Sequence, residues 1–333
     1  MVIRGRAPVR IDFAGGFTDV KPYCLENRGA VVNAAINRYA YVSLWIGGDE
    51  LKLTSIDYNL SIAGKSLREM EYDGNLDLFK AALKRLGLDI KGEIKARCDA
   101  PPASGLGTSA ALGVCLIGVL NFLQNKRLSP HEVAELAHKL EMEELGIWGG
   151  RQDQYASALG GILYQEFGES VQVSPLRIDE ATLCSLEKHL VLCYTGKSRL
   201  SGDIVGSVME RYKKEDKEVK ILLDEMKEIA QQTKEVLLRG EVIEFGRLMS
   251  ENWQRQKRLY QGVSNEYIEH LFSVAERSGA IGGKAMGAGG GGCLLFLSEP
   301  DREHILRENL KEEGAEIIDF AFSLTGLVVW REK

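Results

Sequence analysis

Apolar and polar positions alternate from the first residues of the chain. IRGRAPVRIDFAG and AVVNAAINRYAYVSLWIG alternate or are β-branched and aromatic, which predicts half-buried strands, and strand patterning dominates to about residue 65. LDLFKAALKRLG predicts a helix closed by Gly87. GEIKARCDA predicts a strand with Ile94, Ala96 and Cys98 on one face, halted by Pro101 and Pro102. AALGVCLIGVLNFLQ is apolar nearly all round, the pattern of a buried helix, and its N-terminus carries the glycine-rich GLGTS. Ser129-Pro130-His131-Glu132 is a capping box with proline at the first helical position, and its helix is expected to run to about Leu145. Strand-like GILYQEF and HLVLCYTG follow. Three long helical patterns then cover residues 201 to 239, 241 to 259 and 265 to 277, punctuated by Gly240 and Gly279. The chain ends with strand-like CLLFL, a helix over 302 to 313 and strand-like IIDFAFSLTGLVVW. Strands and helices interleave without strict βαβ alternation, so the expected class is α+β in two domains, residues 1–165 and 166–333.

Composition narrows the functional classes. The 333 residues include 42 Lys plus Arg against 48 Asp plus Glu, a net charge of −6, and no basic run stands apart from a helix. Tracking of nucleic-acid phosphates is therefore not expected, and an anionic ligand must be met by a local site. The N-terminus has no apolar signal core, and the apolar stretch 110 to 123 is too short and too interrupted to span a bilayer, so a cytoplasmic protein without membrane association is expected. The six cysteines show no C-x-x-C spacing and read as reduced thiols. The 36 glycines exceed the usual roughly 7%, and they gather at 15–16, 105–113, 146–161 and 282–292, between apolar elements. They read as backbone devices at a site.

PPASGLGTSAA, residues 101 to 111, joins a strand end to a helix start through glycines. Its N–H groups and positive helix end suit an anion, most naturally phosphate, and Thr108 and Ser109 add hydroxyls able to bond phosphate or ligate Mg²⁺. The G-x-x-x-x-G-K-[ST] phosphate loop is absent: Asn59 and Val191 stand where its first glycine belongs. Gly287, Gly289 and Gly292 fit a dinucleotide spacing but precede a strand, which disfavours an oxidoreductase. In GGRQDQYASALGG, Asp153 is the type of group that accepts a proton from a hydroxyl, although a solvated loop aspartate fits the spacing as well. Glu141, Glu143 and Glu144 close the capped helix. Around Gly15 and Gly16 stand Arg10, Asp12, Thr18 and Asp19; an arginine beside an acid would lower its pKa and neutralise phosphoryl charge. GGKAMGAGGGGCLLF offers Lys284 and a flexible loop whose backbone could close over phosphates, although a structural bulge fits the spacing as well.

In order along the chain, APVRIDFAGGFTDV, PPASGLGTSAA and KAMGAGGGG resemble the substrate, ATP and C-terminal glycine motifs of the GHMP small-molecule kinases. FAGGFTDV, LGIWGGRQDQYASALGG, LCYTGKSR and ENWQRQKRL resemble the heptose 7-phosphate kinases and fucokinase-like sugar-1-kinases of that superfamily. The resemblance implies an N-terminal ribosomal S5-like α/β domain and a C-terminal ferredoxin-like domain, with ATP and sugar between them. It implies Asp153 as catalytic aspartate with Arg10 beside it, and ATP held by Pro102, Ser104, Gly105, Leu106, Gly107, Thr108, Ser109 and Ala110. Mg²⁺ would sit on Ser109 and Glu141, with Glu143 and Glu144 as rivals for the second place. Asp19 and Thr18 would hold sugar hydroxyls, with Asp12, Gly16, Gly150, Arg151, Gln152, Gly289 and Gly290 around the sugar. A distal substrate phosphate would need cations, for which Lys197, Arg199, Lys257 and Arg258 are candidates. The expected activity is phosphorylation of a sugar's anomeric hydroxyl, of heptose 7-phosphate first and of a neutral sugar such as fucose second. An inactive sugar or nucleotide sensor on the same fold ranks lower, because Asp153 and Ser109 are both present. The expected partners are ATP and a sugar or sugar phosphate, with a homodimer left open.

Overall fold

The computed structural model describes residues 1–197 and 201–332. Two long strands, β1 (Val2–Ala14) and β2 (Gly29–Ile46), pair antiparallel around the short helix α1 (Tyr23–Asn27). A hairpin of β3 (Leu51–Ser55) and β4 (Leu60–Gly64) follows. Beyond helix α2 (Asp77–Leu86), β5 (Gly92–Cys98) inserts between β2 and β3, parallel to the latter. Helices α3 (Thr108–Leu123), α4 (Pro130–Lys139) and α5 (Gln152–Leu159) lead to β6 (Ile162–Phe167), which pairs with the other end of β2, and to β7 (Val171–Pro175).

Helix α3 is buried on all sides, as its unbroken apolar composition predicts. Its close seat depends on missing side chains. A Cβ on Gly5 of β1 would stand 2.6 Å from Val119, and one on Gly118 would stand 2.5 Å from Leu327. The capping box forms at the start of α4, where Ser129 and Glu132 bond each other's backbone N–H groups. That helix passes into a π-helical turn, Leu140–Glu144.

The second half contributes α6 (Glu180–His189), β8 (Leu190–Tyr194), α7 (Ser201–Lys213), α8 (Lys217–Leu238), α9 (Val242–Leu259) and α10 (Glu266–Arg277). It closes with β9 (Ala280–Ala285), β10 (Cys293–Ser298), α11 (Glu303–Glu312), β11 (Glu316–Ile318) and β12 (Val328–Arg331). The smaller sheet has the order β11-β8-β10-β9, all antiparallel. β12 leaves it and pairs with β1 at the edge of the eight-stranded sheet. β7 and β12, both beyond residue 165, thus extend the larger sheet, and chain position alone does not sort the strands.

One apolar core joins the halves. Val9, Ile11 and Phe13 of β1 and Ile36 of β2 pack with Ile229 of α8, Phe245 and Met249 of α9, and Leu192 and Leu295 of the smaller sheet. Phe13 meets Phe245 edge-on at 5.0 Å. Each such fully buried side chain contributes roughly 1.5–3 kcal/mol, so the two sheets are held against one another, with the cleft along their junction.

Three differences from the sequence pattern have local causes. The helix expected over 201 to 239 is two helices, because Glu215 turns to φ +62° and Asp216 caps a new helix by accepting from the N–H groups of Glu218 and Val219. Helix α5 lies between glycine pairs that read as a loop, and α6, capped by Asp179, was not anticipated. The terminal strand pattern is divided among β11, one bridge between Phe322 and Ile36, and β12.

Candidate active site

The cleft, about 1160 Å³ in volume, is lined from both halves. Its floor is built on β1, where Arg10 and Asp12, two residues apart, share one face of the strand. Arg10 is buried. Its Nε donates to Asp153 Oδ1 at 2.8 Å, and Nη2 lies 2.7 Å from the same oxygen. Its Nη1 donates to the Gly105 carbonyl at 2.5 Å. One guanidinium therefore fastens the aspartate to the glycine loop.

That loop runs between β5 and α3 with Ala103, Gly105 and Gly107 all at positive φ. Gly105 is required: at φ +78° a Cβ would stand 2.6 Å from the Met286 carbonyl. Pro102, Gly105, Gly107, Thr108, Ser109 and Ala110 line the cleft at the N-terminus of α3, as an anion site needs. Ser104 and Leu106 do not. Both side chains are fully buried, and their carbonyls accept from Cys293 N (2.8 Å) and Arg10 N (3.0 Å), so they anchor the loop from behind.

Asp153 sits in the first turn of α5. Burial raises its pKa, and the nearby Asp12 charge adds to that; Arg10 acts the other way. The expectation that Arg10 would lower this pKa is thus corrected: its pull has the expected sign, but desolvation outweighs it. Ser109 Oγ donates to Glu141 Oε1 at 2.5 Å, and Gln154 Nε2 donates to Glu141 Oε2 at 2.5 Å. Burial pushes Glu141 up to about 7. Glu143 and Glu144 both pair with Arg85, at 2.9 and 3.2 Å, and of the two only Glu144 also lines the cleft.

On the other wall, Asp19 Oδ2 accepts from Gln152 N at 3.0 Å, and Gly150 lies so close that a Cβ would overlap that carboxylate. Burial pushes Asp19 up to about 6, with the charges of Asp153 and Asp12 adding to it. Gly16, Asp19, Gly150, Gln152 and Gly289 line this part of the cleft, with Phe17, Val20, Trp148, Asp203 and Val205 completing it. The far wall holds Tyr58 and Tyr72, which no motif flagged.

Several expected site residues lie elsewhere. Thr18 is buried, and its Oγ1 is occupied by the Gly15 and Ala30 carbonyls and the Ala30 N–H, so it braces the turn and does not line the cleft. Asp12 is buried beneath Gly16 and pairs with Lys284 at 2.8 Å. Lys284 itself is a fully buried residue of β9. Arg151 points behind α5, donating to the Gly168 carbonyl at 2.7 Å. The Gly290 N–H is spent on the Val263 carbonyl. Lys257 pairs with Glu269 and Arg258 with Glu218, and neither reaches the cleft. Lys197 is exposed near the Tyr267 ring, also off the cleft, and Arg199 lies outside the described residues. Sequence reasoning missed Gln154, whose signal was its place directly after Asp153.

Residues 76–161 match the model of the GHMP kinases N terminal domain, and residues 233–316 match that of the GHMP kinases C terminal. The chain is also 34% identical over 340 residues to the D-glycero-alpha-D-manno-heptose 7-phosphate kinase of Campylobacter jejuni, covering 99% of both chains. It belongs to the GHMP kinases. As a member it is an ATP-dependent phosphotransferase with the two-domain α+β fold of that family. The kinase is 32% identical over 331 residues to the bifunctional fucokinase/GDP-fucose pyrophosphorylase of Arabidopsis thaliana, spanning 92% of this chain and 31% of that one. A crystal structure of a D-glycero-D-manno-heptose 1-phosphate kinase from Bacteroides thetaiotaomicron superposes with a TM-score of 0.83 at 29% identity over 99% of both chains. Among the described residues, no helix of the kinase is long and apolar enough to cross a membrane.

Proposed function

We propose that this kinase transfers the γ-phosphoryl group of ATP to the anomeric hydroxyl of a heptose 7-phosphate in the cytoplasm. The reading is carried by Asp153: bonded to Arg10, it stands between the glycine loop, where a polyphosphate fits, and the Asp19–Gln152 wall, where hydroxyls fit. The heptose kinase of C. jejuni, similar along the whole chain, supports the choice of acceptor.

Phosphoryl transfer asks the protein chiefly for alignment and charge neutralisation. Asp153 orients the acceptor hydroxyl and takes its proton, and burial brings this carboxylate nearer to the operating pH than an exposed one. Arg10 holds the carboxylate and carries positive charge beside the developing negative charge. The N–H groups at the start of α3 hold the phosphates. Asp19, set by the Gln152 N–H, accepts from sugar hydroxyls.

The donor set suits Mg²⁺: a hydroxyl and a carboxylate, Ser109 and Glu141, converge within 2.5 Å beside the loop, and such a site leaves the remaining positions to phosphate and water oxygens. Bound there, Mg²⁺ supplies neutralisation of polyphosphate charge. Gln154 steadies the carboxylate that would hold it.

The second reading is a neutral-sugar 1-kinase such as a fucokinase. It is favoured by the pairing of Lys257 and Arg258 with glutamates, which withdraws two cations from a distal phosphate. Against it stands Lys213, stacked 4.5 Å over the cleft-lining Trp148 and without an ion pair among the described residues. A coupled ADP-release screen against heptose 7-phosphate, heptose 1-phosphate, fucose, mannose, galactose and mevalonate separates these readings. Turnover of heptose 7-phosphate to the 1,7-bisphosphate, identified by ³¹P NMR, is expected. Turnover of fucose alone would establish the second reading, and nucleotide binding without turnover would indicate a sensor. Asp153→Asn should lower kcat by about 10²–10⁴-fold, the range of a lost general base, with ATP affinity retained. Unchanged kcat would remove Asp153 from its role.

A further inference from the structure

The buried pair of Asp12 and Lys284 connects the two sheets directly beneath the chemistry. Lys284 Nζ, on β9, lies 2.8 Å from Asp12 Oδ2 and 3.0 Å from the Asp12 carbonyl on β1, and both side chains are essentially sealed from solvent. Replacing a buried ion pair by apolar residues is often neutral or stabilising. Stability alone therefore does not account for it.

The surroundings indicate what it does. Asp12 Oδ1 has no hydrogen-bond partner among the described residues, and Oδ2 is roofed by Gly16, where a Cβ would stand 2.7 Å away. Lys284 is thus the cation on which Asp12 depends. The next nearest by position is Arg10, two residues earlier on the same face of β1. Its charge is felt at Lys284, just as the charge of Asp12 is felt at Asp153. The four groups form one cluster of two acids and two cations, paired Asp153 with Arg10 and Asp12 with Lys284, in which the first pair lines the cleft and the second does not. In its present pose Arg10 directs two nitrogens at Asp153 and one at the Gly105 carbonyl, and it makes no ion pair with Asp12 among the described residues.

We propose that Lys284 is a positioning residue for phosphoryl transfer: by holding Asp12, it leaves Arg10 to grip Asp153 and the glycine loop. The inference rests on the assignment of Asp153 as the group that meets the acceptor hydroxyl. Without Lys284, the bare Asp12 carboxylate competes for Arg10, and Asp153 loses its orientation. β9 would then serve the reaction from the opposite half of the molecule without touching substrate.

The test compares Lys284→Met, Asp12→Asn, the double variant Asp12→Asn with Lys284→Met, and Lys284→Arg, in the full chain. A merely structural pair predicts equal damage from either single substitution. Positioning predicts an asymmetry. Lys284→Met should lose roughly 10²-fold in kcat, on the scale of one misplaced electrostatic group, with KM for ATP changed by less than about threefold. Asp12→Asn should lose at least about tenfold less, since it leaves no rival for Arg10; the double variant should recover most of the Lys284→Met loss, a coupling expected of contacting residues; and Lys284→Arg should retain more activity than Lys284→Met. Equal losses in the two single variants, or a double variant no better than Lys284→Met, would overturn the proposal. The double variant carries no buried unpaired charge, so it decides the matter even if Lys284→Met fails to fold. A readout independent of substrate is the Arg10 Nε–H resonance in the ligand-free protein. It should remain slow to exchange in the wild type and the double variant and exchange faster in Lys284→Met. If that signature holds while turnover does not respond, the assignment of Asp153 has failed, not the role of Lys284.

Discussion

At the scale of single residues, the cleft concentrates acids that burial makes reluctant to ionise. Asp19 illustrates the cost. Its carboxyl titrates at about 6 in the folded chain against an ordinary 3.8, with desolvation the leading cause. A group raised on folding contributes stability below its unfolded pKa, and that contribution is lost as pH climbs through the folded value. Asp19 therefore stabilises the ligand-free protein near pH 4 and ceases to do so above about 6. Asp19→Asn keeps an acceptor for the Gln152 N–H and removes the titration. Its melting temperature should match wild type near pH 4 and exceed it by a few degrees at pH 8, with activity lost. A lower melting temperature at pH 8 would show that the carboxylate is not strained there. Chemistry was legible at this scale where a residue type is unusual in its setting, as with Asp153 and Arg10. The partners of Lys257, Arg258 and Lys284 were not, because a cation's partner is fixed by tertiary contact, and each of these bonds an acid remote in sequence or on another helix.

At the scale of elements, the glycine loop before α3 depends on backbone shape more than on side chains. Gly105→Ala would force a Cβ toward the Met286 carbonyl at a residue with φ +78°. The expected result is a stability loss of about 1–3 kcal/mol for the strained conformation and nucleotide binding weakened about tenfold or more by titration calorimetry. Gly240→Ala, at φ +71° but far from the cleft, serves as the control: it should cost stability and leave nucleotide affinity alone. Periodicity made β1, β2, β5 and α3 readable, and the Ser129–Glu132 box marked the start of α4 correctly. It failed for α5, because an eight-residue helix between glycines offers barely two turns of pattern, and for the break before α8, which hangs on one aspartate.

At the scale of the whole molecule, the two halves are not independent. β12 pairs with β1, Leu327 packs on α3 at Gly118, and the layer around Phe13 and Phe245 is common to both sheets. A fragment of residues 1–165 should therefore lack a cooperative thermal transition by circular dichroism; a sharp transition would show a self-sufficient first domain. The cleft is tied across the halves at both of its ends, and this bears on how it exchanges ligands. At the phosphate end, the Ser104 carbonyl and the Cys293 N–H are joined in a buried backbone bond, with Gly292 packed against the same segment. At the sugar end, Tyr23 Oη donates to Asp224 Oδ1 and Asn27 Nδ2 donates to Tyr212 Oη, each at 2.7 Å, while Phe17, Val20 and Tyr23 pack with Val205, Met209 and Tyr212. Any motion that parted the two halves would therefore have to break buried contacts at both ends of the cleft, so exchange of acceptor and product is left to the open mouth between them.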